Sequence, residues 1–282
     1  MIDFKIQNKL TKSSLTVIIK EYTKQIMPKT EIITIINQKG GVGKTTTTVN
    51  LASGLASGSK KVLVIDTDPQ GHSSEHLGVK NNNELVKTLL SVLKDKTPIL
   101  EAIVPTYQKN LFCLTSNLSL GQFNQANPAQ NQFILREALS KITTKDFDYI
   151  IIDCQPSLSL LTLNALTAST SVILPVQAEF LALDGLTQLI YTLKEVREKL
   201  HPKLYILGIL LTMYDSRNKL SSEVLVELQK NFQKEIFETV IPRNVALAEA
   251  PSFGKSIFDY NPSSTGAKAY SDLTKEVVKR IK

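Results

Sequence analysis

The feature that most narrows the fold is a glycine-rich turn between two regular elements. The β-branched run Ile32–Ile36 leads through Asn37 and Gln38 into Lys39-Gly40-Gly41-Val42-Gly43-Lys44-Thr45-Thr46, and a helical pattern opens at Lys44. Three glycines let neighbouring backbone N–H groups converge on one anion, and the helix that follows aims its positive end at the same place. Lys44 is then positioned to reach the β- and γ-phosphates of a nucleotide, and the Thr45 hydroxyl to bind Mg²⁺. The pattern is a compressed G-x-x-x-x-G-K-[ST], because Gln38 stands where the leading glycine belongs. An ordinary glycine turn between strand and helix is the alternative. It gives no reason for Lys-Thr-Thr at the helix mouth.

From Glu31 onward short β-branched runs alternate with amphipathic helical patterns, the signature of parallel strands joined by crossover helices. Strands are expected at Ile32–Ile36, Lys61–Ile65, Leu111–Thr115, Tyr149–Asp153, Ser171–Pro175, Tyr205–Thr212 and Phe237–Ile241. Helices are expected at Lys44–Ser57, Gln132–Ile142, Ser159–Ala168, Ala182–Leu200, Ser221–Phe232 and Ala267–Ile281. The fold class is therefore α/β, a doubly wound and mainly parallel sheet with helices on both faces, whose ligands sit beyond the carboxyl ends of the strands. One domain, 31–282, accounts for this pattern. Residues 1–30 are expected to form an N-terminal extension whose 15–26 stretch could form a short helix, and Met27 offers an alternative start of translation just ahead of the first strand.

Two further strands end in acids where that crevice should open. Val62–Ile65 runs into Asp66-Thr67-Asp68-Pro69-Gln70-Gly71, and Tyr149–Ile152 runs into Asp153. An acid at such a place can cap a turn. Four apolar residues and an Asp also form the strand that holds a Mg²⁺ shell through water.

From Ile32 to the C-terminus the sequence resembles the ParA/Soj ATPases, the deviant Walker A kind of P-loop protein that segregates bacterial chromosomes and plasmids. The resemblance rests on INQKGGVGKTTT, DTDPQG, IIIDCQPSLSLLTLNAL, LPVQAEFLALDGL, GILLTMYDSR and IPRNVALAEAPSFGK, in family order. It implies ATP and Mg²⁺ as cofactors, with Lys39, Lys44, Asp68 and Asp153 as the catalytic set. Gly40, Gly41, Val42, Gly43, Lys44, Thr45 and Thr46 would cradle the phosphates. Thr45, Asp68 and Asp153 would surround the metal, and Asp68 would position or activate the hydrolytic water. Pro242, Arg243 and Asn244 would line the adenine. Asp66 matches a motif acid of less definite role. Lys39 would cross to the nucleotide of a partner subunit, which implies an ATP-dependent homodimer. A solvent-exposed Lys39 without a catalytic part is the alternative.

The resemblance also implies a slow ATPase that binds double-stranded DNA without sequence preference, is stimulated by a ParB-like centromere-binding partner, and is cytoplasmic and nucleoid-associated. Arg217 and Lys255 fall at the DNA-contacting positions, with Lys219 and Lys268 as compensating or merely solvated lysines. Ala246, Ser263 and Thr265 replace residues that are often basic in the family. Gln155 stands before Pro156 where the family usually has Pro-Pro, restoring a backbone donor beside the γ-phosphate.

A MinD-like membrane-associated division regulator and a positioning ATPase for another cargo are the competing readings. The first needs an amphipathic C-terminal helix with bulky apolar residues opposite lysines. The segment ending in Glu276-Val277-Val278-Lys279-Arg280-Ile281-Lys282 lacks Phe and Trp, and its apolar face is expected to pack on the sheet.

The net charge of +7 favours polyanionic partners, yet residues 1–30 hold six lysines against Asp3 and Glu21, so most of the excess lies outside the domain. Cys113 and Cys154 are far apart within apolar runs, which argues against a disulfide framework, a zinc site or cluster-ligand spacing. No apolar run approaches the roughly 20 residues of a membrane span, and no signal peptide is evident; no membrane partner is expected.

Overall fold

The computed structural model describes residues 30–79, 87–179 and 182–281. The N-terminal extension and the alternative start at Met27 lie outside the described residues.

Seven strands make one sheet in the order β3-β4-β2-β5-β1-β6-β7. They are β1 (Glu31–Ile35), β2 (Val62–Asp66), β3 (Ile103–Pro105), β4 (Leu111–Leu114), β5 (Tyr149–Asp153), β6 (Ser171–Gln177) and β7 (Tyr205–Thr212). All pairings are parallel except β3 with β4. β2 and β5 are buried throughout, as expected of strands covered on both faces. Thr34 reaches one face, where its hydroxyl meets the Ala165 carbonyl of the helix Leu160–Ala168. By alternation Ile33 and Ile35 point to the other.

That other face is covered by α1 (Lys44–Ser57), which packs on β1, β2, β4 and β5, and by the C-terminal helix Thr265–Ile281, which packs on α1 and β7. Gly54 permits the second contact: a Cβ there would lie 2.4 Å from the Thr274 hydroxyl oxygen. Between these two helices in the chain run α2 (His72–His76), α3 (Leu160–Ala168), α4 (Ala182–Lys199), α5 (Lys219–Asn231) and α6 (Val245–Glu249), followed by α7 (Thr265–Ile281).

Three expectations need correction. Phe237–Ile241 is not a strand. Its backbone meets β7 through isolated bonds, Phe237 N–H to Ile209 O and Ile241 N–H to Leu211 O, and the Phe237 ring packs over Gly208 so closely that a Cβ there would lie 2.3 Å from it. The helix expected over Gln132–Ile142 is broken into Pro128–Asn131 and Ile134–Leu139, with Phe133 at φ −117° between them. The short β3 was missed; it ends in Pro105, tolerated because this is the sheet edge.

Candidate functional site

The turn after β1 is held from three sides. The Asn37 amide donates to the Pro175 carbonyl at 2.6 Å, and its oxygen accepts from Lys39 N–H at 2.9 Å. The Thr212 hydroxyl at the end of β7 donates to the Val42 carbonyl at 2.9 Å. Gly41 and Gly43 take φ of 75° and 87°, where side chains other than glycine are strained. Among the described residues none of the backbone N–H groups from Gly40 to Thr46 donates to another part of the chain, while Thr47 N–H, the next in line, already bonds Gly43 O. A Cβ on Gly40 or Gly41 would meet nothing within 4 Å, so this row of donors faces open space.

Charged groups gather around that space. β2 and β5 are in register with Asp66 beside Asp153, and both side chains are fully buried. Asp153 accepts from the hydroxyls of Thr45 at 2.8 Å and Thr48 at 3.2 Å. Burial, then the Asp66 carboxylate, pushes its pKa up to about 7 against the pull of Thr45 and Lys44. Asp66 is spent on local structure: it accepts from the Ser74 N–H and hydroxyl at 2.9 and 2.7 Å and from Asp68 N–H at 3.2 Å, with its pKa raised by burial.

Lys44, 7% exposed, donates to the Lys39 carbonyl at 3.0 Å; burial lowers its pKa while Asp153, Cys154 and Asp68 hold it up. A buried ammonium without a paired carboxylate at contact distance invites an anion. Lys39 points away from Lys44, with its ammonium 2.5 Å from Glu179 at the surface.

The turn residues Gly40, Gly41 and Gly43 to Thr46 line a cleft of about 840 Å³, with Asp153 reaching it through its bond to Thr45. Asp68, Pro69, Gln70 and α2 form one wall, and Gln155, Pro156 and Ser157 another. A smaller cavity of about 200 Å³ adjoins at Gly43, Thr46 and Met213, bounded by Ile241, Pro242, Arg243, Asn244, Leu247, Ala248 and Tyr270. The Asn244 side chain caps α6 through Leu247 N–H and donates to Thr265, which fixes the loop 242–244 against α7. The structure thus brings the turn and Asp68 to one cleft, sets the loop 242–244 on the adjoining cavity, and ties Asp153 to the turn through Thr45.

Sequence reasoning missed Thr48, His76, Met213 and Glu179. Met213 carried a weak signal only in hindsight: at φ 53° it is a strained residue shared by both cavities. Arg217, Lys219, Lys255 and Lys268 are all exposed and none lines either cavity. Arg217 is tied to Asp215 at 2.8 Å and Lys219 to Glu223 at 3.4 Å, so part of their charge is offset.

A profile of the AAA domain family matches residues 30–206. The chromosome partitioning protein ParA of Myxococcus xanthus is 46% identical over 251 residues, 88% of each chain. The sporulation initiation inhibitor protein Soj of Bacillus subtilis is 45% identical over 249 residues, 88% of this chain and 98% of that one. The chain belongs to the ParA/Soj family.

Its architecture is that of a P-loop ATPase, and a solved cobyrinic acid a,c-diamide synthase from Mycobacterium smegmatis, with bound ATP analog and magnesium, superposes at a TM-score of 0.75. That structure is 33% identical and covers 89% of this chain and 95% of its own. Where a ParA/Soj ATPase could be confused with a membrane-docking relative, α7 is informative. Ala267, Tyr270, Leu273 and Val277 are buried, and the Arg280 guanidinium lies 4.2 Å from the Phe237 ring centre while bonding the Ile236 carbonyl. The apolar face of α7 is already occupied. Among the described residues no helix is long and apolar enough to cross a membrane.

Proposed function

We propose that this chain is a Mg²⁺-dependent DNA-partitioning ATPase. The observation that carries the reading is the row of N–H groups from Gly40 to Thr46, without acceptors among the described residues, beside a buried Lys44 whose ammonium bonds only a carbonyl there, and the Thr45–Asp153 bond. Such a row suits a polyphosphate, since each N–H can find an oxygen and the buried cation a negative charge. The Thr45 hydroxyl and the Asp153 carboxylate, 2.8 Å apart, are hard oxygen donors of the kind Mg²⁺ takes. Held there, directly by Thr45 and through water by Asp153, the ion would neutralise charge on the terminal phosphates.

The remaining work falls to side chains. Lys44 binds the terminal phosphates. Asp68, on the facing wall and half-buried, orients the attacking water and accepts its proton. The smaller cavity, walled by Pro242, Arg243, Asn244 and Tyr270, holds the base. Lys39 leaves Glu179 and crosses to the nucleotide of a second copy, closing an ATP-dependent homodimer. The dimer binds duplex DNA of any sequence through Lys255, Lys268, Arg217 and Lys219, two copies doubling the phosphate contacts one chain can make. Turnover is slow until a ParB-like partner stimulates it, and hydrolysis resets the cycle on the nucleoid.

Binding of an unrelated duplex, measured with ATP and with ADP in wild type and Lys44→Ala, tests this reading. ATP is expected to promote binding in wild type only. A wild-type protein that binds and hydrolyses ATP yet ignores DNA in both nucleotide states would remove partitioning and leave an ATPase that positions another cargo.

A further inference from the structure

We propose that the backbone N–H of Gln155 is a hydrogen-bond donor to the terminal phosphate and makes this site prefer ATP to ADP. The inference rests on reading the cleft as an ATP site.

The chain reaches Gln155 directly from β5. The last ladder-like bond is Cys154 N–H to Ile35 O at 3.3 Å, and the next N–H, that of Gln155, has no acceptor among the described residues. Gln155 is half-buried and lines the larger cleft but not the smaller cavity, so it stands at the phosphate end, away from Pro242–Asn244.

Its distance from the reacting end is bounded by its neighbours. Asp153, two residues back, holds the Thr45 hydroxyl at 2.8 Å, and Lys44, next to Thr45, lines the same cleft as Gln155. The facing wall is Asp68 to Gln70. The Gln155 side-chain amide is bonded to the Ser159 hydroxyl, which itself caps α3 through Thr162 N–H. That tether fixes the turn and turns the side chain toward the helix. Gln155 thus lines the cleft with its side chain held at Ser159 and its main-chain N–H without an acceptor among the described residues.

A backbone donor that finds water in the open site must find another acceptor once a ligand displaces that water. The donors from Gly40 to Thr46 sit at the turn and helix mouth, on the Lys44 wall. Gln155 sits on a different wall, so the oxygens it meets belong to the phosphate that lies between Lys44 and Asp68. ADP carries no phosphate there. A donor aimed where charge develops also lowers the barrier to transfer. Proline at this position would remove the donor together with the side-chain bond to Ser159; alanine removes that side-chain bond alone, so the difference between the two isolates the N–H.

The experiment compares Gln155→Pro with Gln155→Ala in the full chain. ATP and ADP affinities are measured by calorimetry in an Asp68→Ala background, where ATP persists, and kcat and KM in the otherwise unaltered protein. Gln155→Pro is expected to weaken ATP by about tenfold, as for one hydrogen bond to a charged group. ADP affinity should stay within about twofold, and kcat should fall roughly tenfold or more. Gln155→Ala keeps the N–H and should match wild type in the ATP-to-ADP ratio.

If the proline ring unsettles the turn, an amide-to-ester replacement at 155 removes the same hydrogen without it and must reproduce the ATP-selective loss. An unchanged ATP-to-ADP ratio in the donor-free chains, or an equal loss in Gln155→Ala, would overturn the inference. Neither result touches the ATP reading, which would fail instead if wild type bound neither nucleotide.

Discussion

At the amino ends of the strands, Glu31 accepts hydrogen bonds from the Ser171 and Tyr205 hydroxyls at 3.0 and 3.1 Å, the Thr30 hydroxyl donates to Phe147 O, and Asp148 takes both Lys60 and the Lys61 N–H. At the carboxyl ends of the same sheet, seven consecutive N–H groups have no acceptor among the described residues, two buried acids lie side by side, and a buried ammonium bonds only a carbonyl among those residues. What differs is whether polar groups are consumed by the chain itself. Where they are, the polar groups stabilise; where they are not, the chain has left room for a ligand to complete them.

The comparison predicts opposite phenotypes for changes at the two ends. The largest effect is expected from Lys44→Ala: ATP binding should fall by at least about a hundredfold, the scale of a buried charge-assisted contact, with little change in melting temperature. Calorimetric titration and a thermal melt of the same sample check both halves. Tyr205→Phe at the closed end should do the reverse. It removes one hydrogen bond, worth about 1 kcal/mol, or roughly 2–4 °C in Tm for a domain of this size, and leaves turnover unchanged.

His76 sharpens the contrast within the open end. It lines the cleft yet is buried and bonded to the Lys255 carbonyl at 3.1 Å, and burial depresses its pKa to about 4 from 6.5. The unfolded chain therefore takes up a proton before the folded one does. Stability from this group is complete above about pH 6.5 and is lost as pH falls toward about 4. His76→Asn should flatten the fall of Tm between those values, read from melts at pH 7.5 and 5.

The smallest effect is expected on the exposed basic surface. Lys255→Ala and Lys268→Ala should each flatten the slope of log DNA affinity against log salt by about one unit if they touch phosphate. Arg217→Ala should do less than a free cation would, because Asp215 already offsets it. Fluorescence anisotropy over a salt series distinguishes these.

Much of the open end was legible in the sequence because its parts are local. Lys39–Thr46, Asp66–Gly71 and Tyr149–Asp153 each join a strand to a turn within a few residues, and helix α1 begins and ends where its pattern says. What depended on distant packing was not legible. Phe237 over Gly208, Arg280 over Phe237 and the His76–Lys255 bond join residues far apart in sequence, so no periodicity announces them. Those contacts decide that Phe237–Ile241 leaves the sheet and that α7 is fully employed. Thr48 was missed for a simpler reason: its hydroxyl reaches Asp153 one turn after Thr45, inside a run of threonines that differ in sequence by nothing but position.

In the proposed function the open end binds ATP and separately cleaves it, with Lys44 serving the first task and Asp68 the second. The direct test is ATP affinity and steady-state phosphate release measured on the same preparation of Asp68→Ala. Affinity is expected to stay within about threefold of wild type, since Asp68 faces the phosphate without carrying the charge that holds it, and turnover to fall by about a hundredfold or more, within the range for loss of a general base. Equal loss of binding and turnover, or turnover retained, would contradict it.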